Sequence, residues 1–242
     1  MVEISYKKRQ TELAKRFLKE KHAQFEVSGR HALFADPLIS AGGEKTTYSV
    51  PTYEALKGIC KSVYWKPTFD WVVDRVRVLN PVQTETAGTK LLNLSTGVSD
   101  RAFFTYLCDV KYQIEAHIEW DESHPGYIND RNFKKHYDIA AKSVIHGGRL
   151  PVFLGKSECC GVVKPCVFGE GEGYYDNSGT INFGIMYHGI TYPGQSRDPE
   201  MKESYTLDLA PTSMTDGVIV FRRPEDCIHQ KIREGGKTDV FV

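Results

Sequence analysis

The strictest pattern in the sequence is an alternation of apolar and polar residues over positions 110–120. The apolar positions are Val110, Tyr112, Ile114, Ala116, Ile118 and Trp120, and the positions between them are Lys111, Gln113, Glu115, His117 and Glu119. A period of two places one set on each face of a β-strand, and an antiparallel strand commonly buries only its apolar face. The chain is therefore expected to build a sheet with one dry face and one wet face.

Around this strand, the other periodic segments alternate between strand and helix. Strands are predicted at Gln24–Ser28, Phe69–Leu79, Val152–Leu154 and Cys160–Val163, and helices at residues 51–66 and Asp130–His146. Pro51 suits the first turn of the first helix, with Thr52 or Ser49 as its cap. The polar residues 85–100 are predicted to form a long loop. The resulting order, β-α-β-β-α-β, is the ferredoxin-like arrangement.

Beyond residue 168 the chain is rich in glycine and contains only short apolar runs. Short strands are predicted at Ile181–Tyr187, Thr206–Leu209 and Val218–Phe221. The string GEGEG at 169–173 carries two carboxylates and no lysine, which favours a flexible turn over a phosphate-binding loop. We predict an α+β protein with a basic leader helix or tail at 1–22, a ferredoxin-like (RRM-like) domain at 23–168, and a β-sheet extension and C-terminal tail at 169–242.

Net charge does not indicate a nucleic-acid ligand, because Lys plus Arg and Asp plus Glu each total 31. Basic residues cluster locally in the leader, which suggests either a solvated helix or an arm that contacts phosphates. No segment reaches the roughly 18 apolar residues of a membrane span, and no signal-peptide core is present. The six cysteines lack zinc-type spacing. We therefore expect a cytoplasmic protein with reduced thiols, no metal, no cofactor and no membrane partner.

The predicted topology brings three chemically useful residues toward one place. The two helices run in opposite directions, so Tyr64 at the end of the first approaches Lys135 and His136 in the opening turns of the second. A helix N-terminus also favours phosphate. Metal-free RNA cleavage by the 2′-hydroxyl needs a base, an acid and positive charge. Histidine, tyrosine and lysine can supply these functions.

Each of these residues also has an ordinary structural interpretation. Tyr64 fits a half-buried packing residue at a helix end, Lys135 a surface lysine, and His136 a structural residue beside the apolar stripe. Tyr53 and Lys57 on the first helix, and His117 on the wet face of the strand, are competing candidates. Spacing alone does not decide between these interpretations.

Several long strings resemble one protein family. They are VSGRHALFADP at 27–37, GGEKTTYSVPTYEALKGICKSVYWKPTF at 42–69, RVLNPVQTE at 77–85, TYLCDVKYQIEAHIEW at 105–120, DRNFKKHYDIAAKS at 130–143, GGRLPVFLGKSEC at 147–159, GIMYHGITYP at 184–193 and RRPEDC at 222–227. Together they resemble the CRISPR-associated RAMP-superfamily endoribonuclease of subtype I-C, the "Cas five" family in its d (or c) variety.

The resemblance implies a fold and an activity. Members of that family have a ferredoxin-like RAMP domain followed by a β-sheet domain. They cleave CRISPR repeat hairpins in precursor RNA without metal, leaving a 2′,3′-cyclic phosphate, and they keep the 5′ handle of the mature guide RNA. They join a type I-C surveillance complex beside its backbone and large subunits. Some also bind, and reportedly cut, DNA, which makes double-stranded DNA a further expected partner.

The resemblance also assigns site residues. The tyrosine of the S-[IV]-Y-W string is Tyr64 here, and the lysine and histidine of the D-R-x-x-x-K-H string are Lys135 and His136. These three are the expected catalytic residues. Cations in or beside matching strings are expected to contact RNA phosphates, and they are Arg30, Lys45, Lys134 and Arg149.

The chain departs from the family pattern at a few points. The leader extends beyond the usual start of the pattern, Glu115 stands where relatives often carry lysine, and Leu150 follows Arg149 where a second basic residue is common. The last two changes remove positive charge, which is expected to weaken RNA affinity more than chemistry.

Two other functions compete with RNA cleavage. A non-catalytic guide-RNA-binding subunit, as in other branches of the family, would not need Tyr64, Lys135 and His136. A metal-dependent DNA nuclease would need clustered carboxylates. The nearest group is Asp121, Glu122 and Asp130, but their spacing does not predict a site.

Overall fold

The computed structural model describes Glu12 and residues 18–19, 22–35, 45–92, 99–192 and 204–234. Its strands are β1 Leu18–Lys19, β2 His22–Ala32, β3 Phe69–Val78, β4 Thr84–Leu92, β5 Ser99–Trp120, β6 Val152–Phe153, β7 Cys160–Pro165, β8 Thr180–Thr191, β9 Ser204–Thr215, β10 Val218–Val220 and β11 Ile228–Glu234. Its α-helices are α1 Tyr53–Val63 and α2 Phe133–Ile145, and short 3-10 turns lie at Pro125–Asp130 and Pro224–Asp226.

The central strands follow the ferredoxin-like order. The sheet runs β11-β9-β10-β3-β5-β2-β7-β6, while β1, β4 and β8 pair with β2, β5 and β9. Every pairing between described strands is antiparallel. The segment β3-β5-β2-β7, with α1 and α2 in the crossovers, confirms the predicted fold class. The β-rich extension continues the same sheet because β10 pairs with β3, and the predicted domain boundaries stay a prediction.

Polar caps set the start of both helices. The Thr52 hydroxyl accepts a hydrogen bond from the Ala55 amide at 3.3 Å, as predicted for α1. The Asn132 side chain accepts one from the Lys135 amide at 3.1 Å, so α2 begins after Asn132 and not at Asp130 as predicted. The residues before it form the 3-10 turn. Each helix buries one apolar stripe. None of the described helices is long and apolar enough to span a membrane.

The face of β5 predicted to be dry forms the core under the helices. Tyr112, Ile114, Ala116 and Ile118 are all buried. The Tyr137 hydroxyl on α2 accepts a hydrogen bond from the Ile118 amide at 3.0 Å, which ties the helix to the strand.

The face predicted to be wet is largely covered. Gln24, Gln113 and Glu115 are buried on it. Gln24 accepts a hydrogen bond from the Phe168 amide at 3.0 Å, and Gln113 accepts one from the Gly169 amide at 2.9 Å. Buried polar groups need such partners. The chain after β7 is therefore folded across this face, which corrects the expectation of solvent there.

The GEGEG string at 169–173 is part of this cover. It begins in a turn at residues 168–169, in agreement with the predicted turn, whereas its flexibility stays a prediction. Gly169 and Gly171 each have a φ of 86°, which favours glycine. Arg77 on β3 donates to the Gly171 carbonyl at 3.0 Å and to the Asp176 carboxylate at 2.7 Å. These bonds hold the string against the sheet.

Glu115 also has a structural role. Its carboxylate accepts a hydrogen bond from Arg75 at 2.6 Å and another from Gln24 at 2.5 Å. Because it is buried and paired, it does not remove charge from an exposed RNA-binding surface. The expectation that Glu115 weakens RNA affinity is therefore not supported by its position.

The loop predicted at 85–100 is a hairpin. Thr84–Leu92 pairs with the first half of β5, from Leu107 back to Ser99. Asp109, with a φ of 47°, separates this half from the half in the core. Residues 83–88 are exposed, so neither side of β4 needed an apolar pattern. Pattern-based prediction fails where a strand has no buried face.

The leader is only partly described. Leu18 and Lys19 form β1 and pair with Ala23 and His22 of β2. The predicted leader helix is therefore a strand at these two residues. Apart from Glu12, this short strand and His22 of β2, the leader predicted at 1–22 lies outside the described residues.

Candidate active site

The ends of α1 and α2 meet at a tyrosine–histidine pair. Tyr64 is the C-cap residue of α1, and His136 lies in the first turn of α2. The Tyr64 hydroxyl and His136 Nδ1 are 2.8 Å apart and share a hydrogen bond. The predicted convergence of these two helix ends is thus seen in the structure.

The second nitrogen of His136 fixes the tautomer of the neutral ring. His136 Nε2 lies 2.8 Å from the Asp130 backbone carbonyl, which can only accept a hydrogen bond. Nε2 therefore carries a proton, and in the neutral ring Nδ1 accepts from the Tyr64 hydroxyl. The pair is a connected chain from Tyr64 through the imidazole to the backbone.

Aromatic rings enclose this pair. His136 is 0% exposed and Tyr64 is 1% exposed. The rings of Phe69 and Trp120 have centroids 5.1 and 5.8 Å from that of His136. Trp71 Nε1 donates to the Tyr64 carbonyl at 2.7 Å, which fixes the backbone at the end of α1. The geometry of the pair is therefore determined by core packing.

Arg149 covers the tyrosine. Its guanidinium carbon lies 4.7 Å from the centroid of the Tyr64 ring, a cation–π distance, and Arg149 is exposed. Burial raises the pKa of the Tyr64 hydroxyl above its usual value, and the positive charge of Arg149 acts in the opposite direction. Tyr64 consequently keeps its proton at neutral pH.

Lys135 is anchored by Asp130. Its ammonium forms an ion pair with the Asp130 carboxylate, which also accepts a hydrogen bond from Thr68 at 3.0 Å. The hydrogen bond from Lys135 is the main cause that lowers the pKa of Asp130 below its usual value. The lysine side chain is 52% exposed, so the ammonium is accessible beside the buried pair.

Replacing Lys135 by methionine is expected to raise the pKa of Asp130 toward its ordinary value. A lowered carboxyl pKa contributes stability above the unfolded-state pKa and loses it as pH falls through the folded-state pKa. That acid dependence should weaken in the variant. A carboxyl ¹³C NMR titration of Asp130 measures the shift, with Lys134→Met as the control. An unchanged Asp130 pKa in Lys135→Met would contradict this ion pair.

The four expected RNA-binding cations fall into two groups. Arg149 and Lys134 are exposed near the pair, at Tyr64 and in the first turn of α2. Arg30 is exposed on β2, and Lys45 is exposed beside β5, where its ammonium lies 4.8 Å from the Phe104 ring centroid. Within the part of the chain that the structure describes, no hydrogen bond, ion pair or ring contact joins this second group to the Tyr64–His136 pair.

The competing candidates lie elsewhere. Tyr53 stacks on His188 at a centroid distance of 4.0 Å, and Lys57 pairs with Asp70 at 3.5 Å. His117 lies on the polar face of β5 and pairs with Asp74. None of these three is hydrogen-bonded, ion-paired or stacked with Tyr64 or His136.

The carboxylates considered for a metal-dependent nuclease do not converge. Asp121 accepts hydrogen bonds from Ser123, whereas Asp130 faces Lys135 and Thr68. Among the described residues, the groups close enough to hold a metal do not include Asp121, Glu122 or Asp130.

Asp130 is the residue that sequence reasoning missed at this site. It contacts His136 through its carbonyl and Lys135 through its carboxylate. The signal was a carboxylate just before the second helix, inside the same D-R-x-x-x-K-H string. The sequence had suggested a role for Asp130 only as a possible metal ligand of a nuclease.

Comparisons with known proteins agree with this fold. The curated relatives include two proteins named CRISPR pre-crRNA endoribonuclease Cas5d. The one from Mannheimia succiniciproducens is 29% identical over 146 residues, covering 51% of this chain and 63% of the relative. The one from Thermus thermophilus is 31% identical over 105 residues, covering 38% and 42%. The chain thus matches less than two thirds of the length of either relative.

Two solved structures are similar over most of both chains. One is described as a CRISPR-associated protein, with 33% identity and a TM-score of 0.70, covering 85% of this chain and 94% of the other. The second is the functionally uncharacterized protein SMU1763c from Streptococcus mutans, with 34% identity, the same TM-score and the same coverage. Residues 24–222 match the family Cas_Cas5d, described as CRISPR-associated protein (Cas_Cas5). The chain belongs to this family of CRISPR-associated proteins.

Proposed function

We propose that the chain is an endoribonuclease that cleaves the hairpin repeats of CRISPR precursor RNA without a metal ion. Relatives with this name support the substrate class. The observation that carries the proposal is the hydrogen bond between the Tyr64 hydroxyl and His136 Nδ1, with the exposed Lys135 and Arg149 beside it. The residue types and their arrangement suit cleavage by the RNA's own 2′-hydroxyl.

In the proposed reaction, the 2′-oxygen attacks the adjacent phosphorus and the bond from phosphorus to the 5′-oxygen breaks. The products are a 2′,3′-cyclic phosphate and a 5′-hydroxyl. A proton leaves the 2′-hydroxyl for the Tyr64–His136 relay, and solvent water supplies the proton that reaches the departing 5′-oxygen. Tyr64 and His136 act as a relay, because a proton accepted by the Tyr64 oxygen can be passed to Nδ1. Lys135 provides positive charge for the anionic phosphorane oxygen.

Arg149 has a defined place in this proposal. Its guanidinium lies over the Tyr64 ring. A phosphate competes strongly for a guanidinium, because the bidentate charge-assisted hydrogen bonds outweigh a cation–π contact. RNA binding would draw Arg149 onto the backbone and uncover the Tyr64 hydroxyl. Substrate binding and access to the relay are then the same event.

The wider partners are proposed on the family's properties. After cleavage the protein would stay on the 5′ handle of the guide RNA as a subunit of a type I-C complex, beside its backbone and large subunits. Arg30 and Lys45 would contact phosphates away from the cleavage site. DNA is a further proposed ligand of the same cations, since phosphate contacts do not depend on sequence.

A second candidate function is a guide-RNA-binding subunit that does not cut. The complete burial of His136 and the near-complete burial of Tyr64 favour it, because a histidine enclosed by Phe69 and Trp120 is also a well-satisfied core residue. In this alternative, Lys135 and Arg149 bind the handle and the pair only holds the helix ends together.

Cleavage of a cognate repeat hairpin in excess EDTA separates the two functions. The matched substrate carries a single 2′-deoxy substitution at the cut site. We expect cleavage of the ribose substrate to continue in EDTA, and the deoxy substrate to bind equally well but stay intact. The product should carry a 2′,3′-cyclic phosphate, detectable by mass spectrometry.

The other outcomes are equally informative. Tight binding without cleavage of the ribose substrate would support the non-cutting subunit. Cleavage that stops in EDTA and returns with added Mg²⁺ would overturn metal independence. Cleavage of the deoxy substrate would exclude the 2′-hydroxyl as the nucleophile.

A further inference from the structure

Two histidines and an aspartate come together on the polar face of the sheet, outside the segment that covers it. They are His22 at the start of β2, Asp74 on β3 and His117 on β5. One potential ligand atom from each lies within 4.8 Å of the others. His117 Nδ1 is 2.9 Å from the Asp74 carboxylate, and His22 Nε2 is 3.7 Å from it.

A β-bulge places Asp74 in this group. The pairing of β3 with β5 shifts between Val73 and Arg75, which leaves Asp74 as the additional residue. Val73 is buried under the helices, whereas Asp74 and Arg75 both carry polar side chains toward His117 and Glu115 on the opposite face. Bulges re-aim side chains in this way and occur often beside functional sites.

His117 is held as metal-binding histidines usually are. Its Nδ1 faces the cluster, and its Nε2 is 3.3 Å from the Glu119 carboxylate. Glu119 is in turn paired with Arg223. Ligand histidines commonly donate their second ring N–H to a carboxylate, which fixes the ring and raises its basicity. Glu119 is positioned for that role.

The geometry points to a site for a divalent transition-metal ion of the zinc class, bound by His22, Asp74 and His117 with Glu119 orienting His117. Two imidazoles and one carboxylate suit zinc and its first-row neighbours, whereas magnesium and calcium prefer oxygen ligands. Three protein ligands leave a coordination position for water.

The side chains are accessible to an incoming ion. Those of His22, Asp74 and His117 are 38%, 28% and 25% exposed. The ligand atoms are 2.9 Å apart in His117 and Asp74 and 3.7 Å apart in His22 and Asp74, and a zinc ion between them would need each at about 2.0–2.2 Å.

This site is separate from the proposed cleavage site. His117 lies on the face of β5 opposite Ala116 and Ile118, which pack beneath the helices that carry Tyr64 and His136. A bound ion would join the start of β2 to β3 and β5, the central strands of the sheet. It is therefore compatible with metal-independent RNA cleavage.

Zinc titration of the chelator-treated, tag-free chain tests the site. Competition with a chromogenic chelator measures affinity and stoichiometry in the wild type, in His22→Ala and in His117→Gln. We expect one site in the wild type that each variant weakens by more than about tenfold, and a loss of about tenfold or more in Glu119→Gln. His31→Ala is the matched control, because His31 belongs to a second candidate group with Glu85 and Cys108.

Cobalt substitution identifies the ligands. Nitrogen and oxygen ligands give visible d–d bands without the near-ultraviolet thiolate charge-transfer band, so we expect no such band for this site. Unchanged affinity in His22→Ala and His117→Gln, or a thiolate band lost in Cys108→Ser, would overturn the proposal. Circular dichroism of each variant checks that the fold is retained. RNA cleavage measured in parallel keeps the two proposals distinguishable, since neither outcome here alters the result expected in EDTA.

Discussion

Replacing Tyr64 by phenylalanine is expected to lower the rate of repeat cleavage at saturating protein by about 10²–10⁴-fold, the range for loss of a proton-transfer group. The change removes only the hydroxyl that hydrogen-bonds to His136 Nδ1 and keeps the ring that packs against Phe69. RNA affinity should change little, because Arg149, Lys134 and Lys135 remain. Single-turnover cleavage of a labelled hairpin and a separate binding titration measure the two quantities.

Tyr137→Phe is the matched control. Tyr137 is the next residue after His136 on α2, is equally buried, and its hydroxyl accepts a hydrogen bond from the Ile118 amide. Each variant removes one buried hydrogen-bond partner, which costs about 1–3 kcal/mol of stability. Only Tyr64→Phe should lose cleavage. Equal cleavage rates in the two variants would remove Tyr64 from the reaction and favour the non-cutting subunit.

His136→Ala is expected to lower the cleavage rate strongly while RNA affinity stays nearly unchanged. The result can be interpreted only together with a measurement of the variant's stability. His136 is fully buried among aromatic rings, so its removal also leaves a cavity. Tyr64→Phe is the sharper test for this reason. Near-normal cleavage by a folded His136→Ala protein would show that the imidazole takes no part.

Replacing Arg77 by methionine is expected to lower the free energy of unfolding by about 1–3 kcal/mol, the cost of leaving buried hydrogen-bonding groups without their partner. Arg77 is buried and donates to the Gln113 side chain, the Gly171 carbonyl and the Asp176 carboxylate. Methionine fills the space but leaves these acceptors without their donor. The loss should appear as a lower urea midpoint.

The control for Arg77 is an ion pair of similar composition at the surface. Lys61 pairs with Asp70 at 3.1 Å, with side chains 38% and 47% exposed. Lys61→Met should change stability by no more than about 1 kcal/mol, as exposed pairs usually do. If the two variants unfold at the same urea concentration, the cover over the polar face of the sheet contributes little to folding.

Sequence patterns predicted the parts of the fold that have one dry face. The alternation from Val110 to Trp120 and the stripes of both helices identified the ferredoxin-like unit, and its topology brought Tyr64 toward His136. The same reasoning missed β4, because its exposed residues follow no apolar period. It also misread Glu115, because alternation shows which face is polar but not whether a later segment covers that face.

The site was predicted in part for a related reason. Helix direction follows from topology, so the meeting of the two helix ends could be anticipated. The enclosure of His136 by Phe69 and Trp120 depends on side-chain packing between distant segments, and no local pattern encodes it. The position of Arg149 over Tyr64 depends on the loop after α2, whose path the sequence does not fix.

The pairing of β10 with β3 has a consequence for biosynthesis. Val218 pairs with Arg77, so the outer edge of a central strand is completed by residues made about 140 positions later. At about 5–20 residues per second, a ribosome needs on the order of ten seconds to supply them. During that time the nascent chain presents an open, β-rich edge, and such edges recruit other strands. We therefore expect nascent chains truncated before residue 218 to be the form most dependent on chaperones.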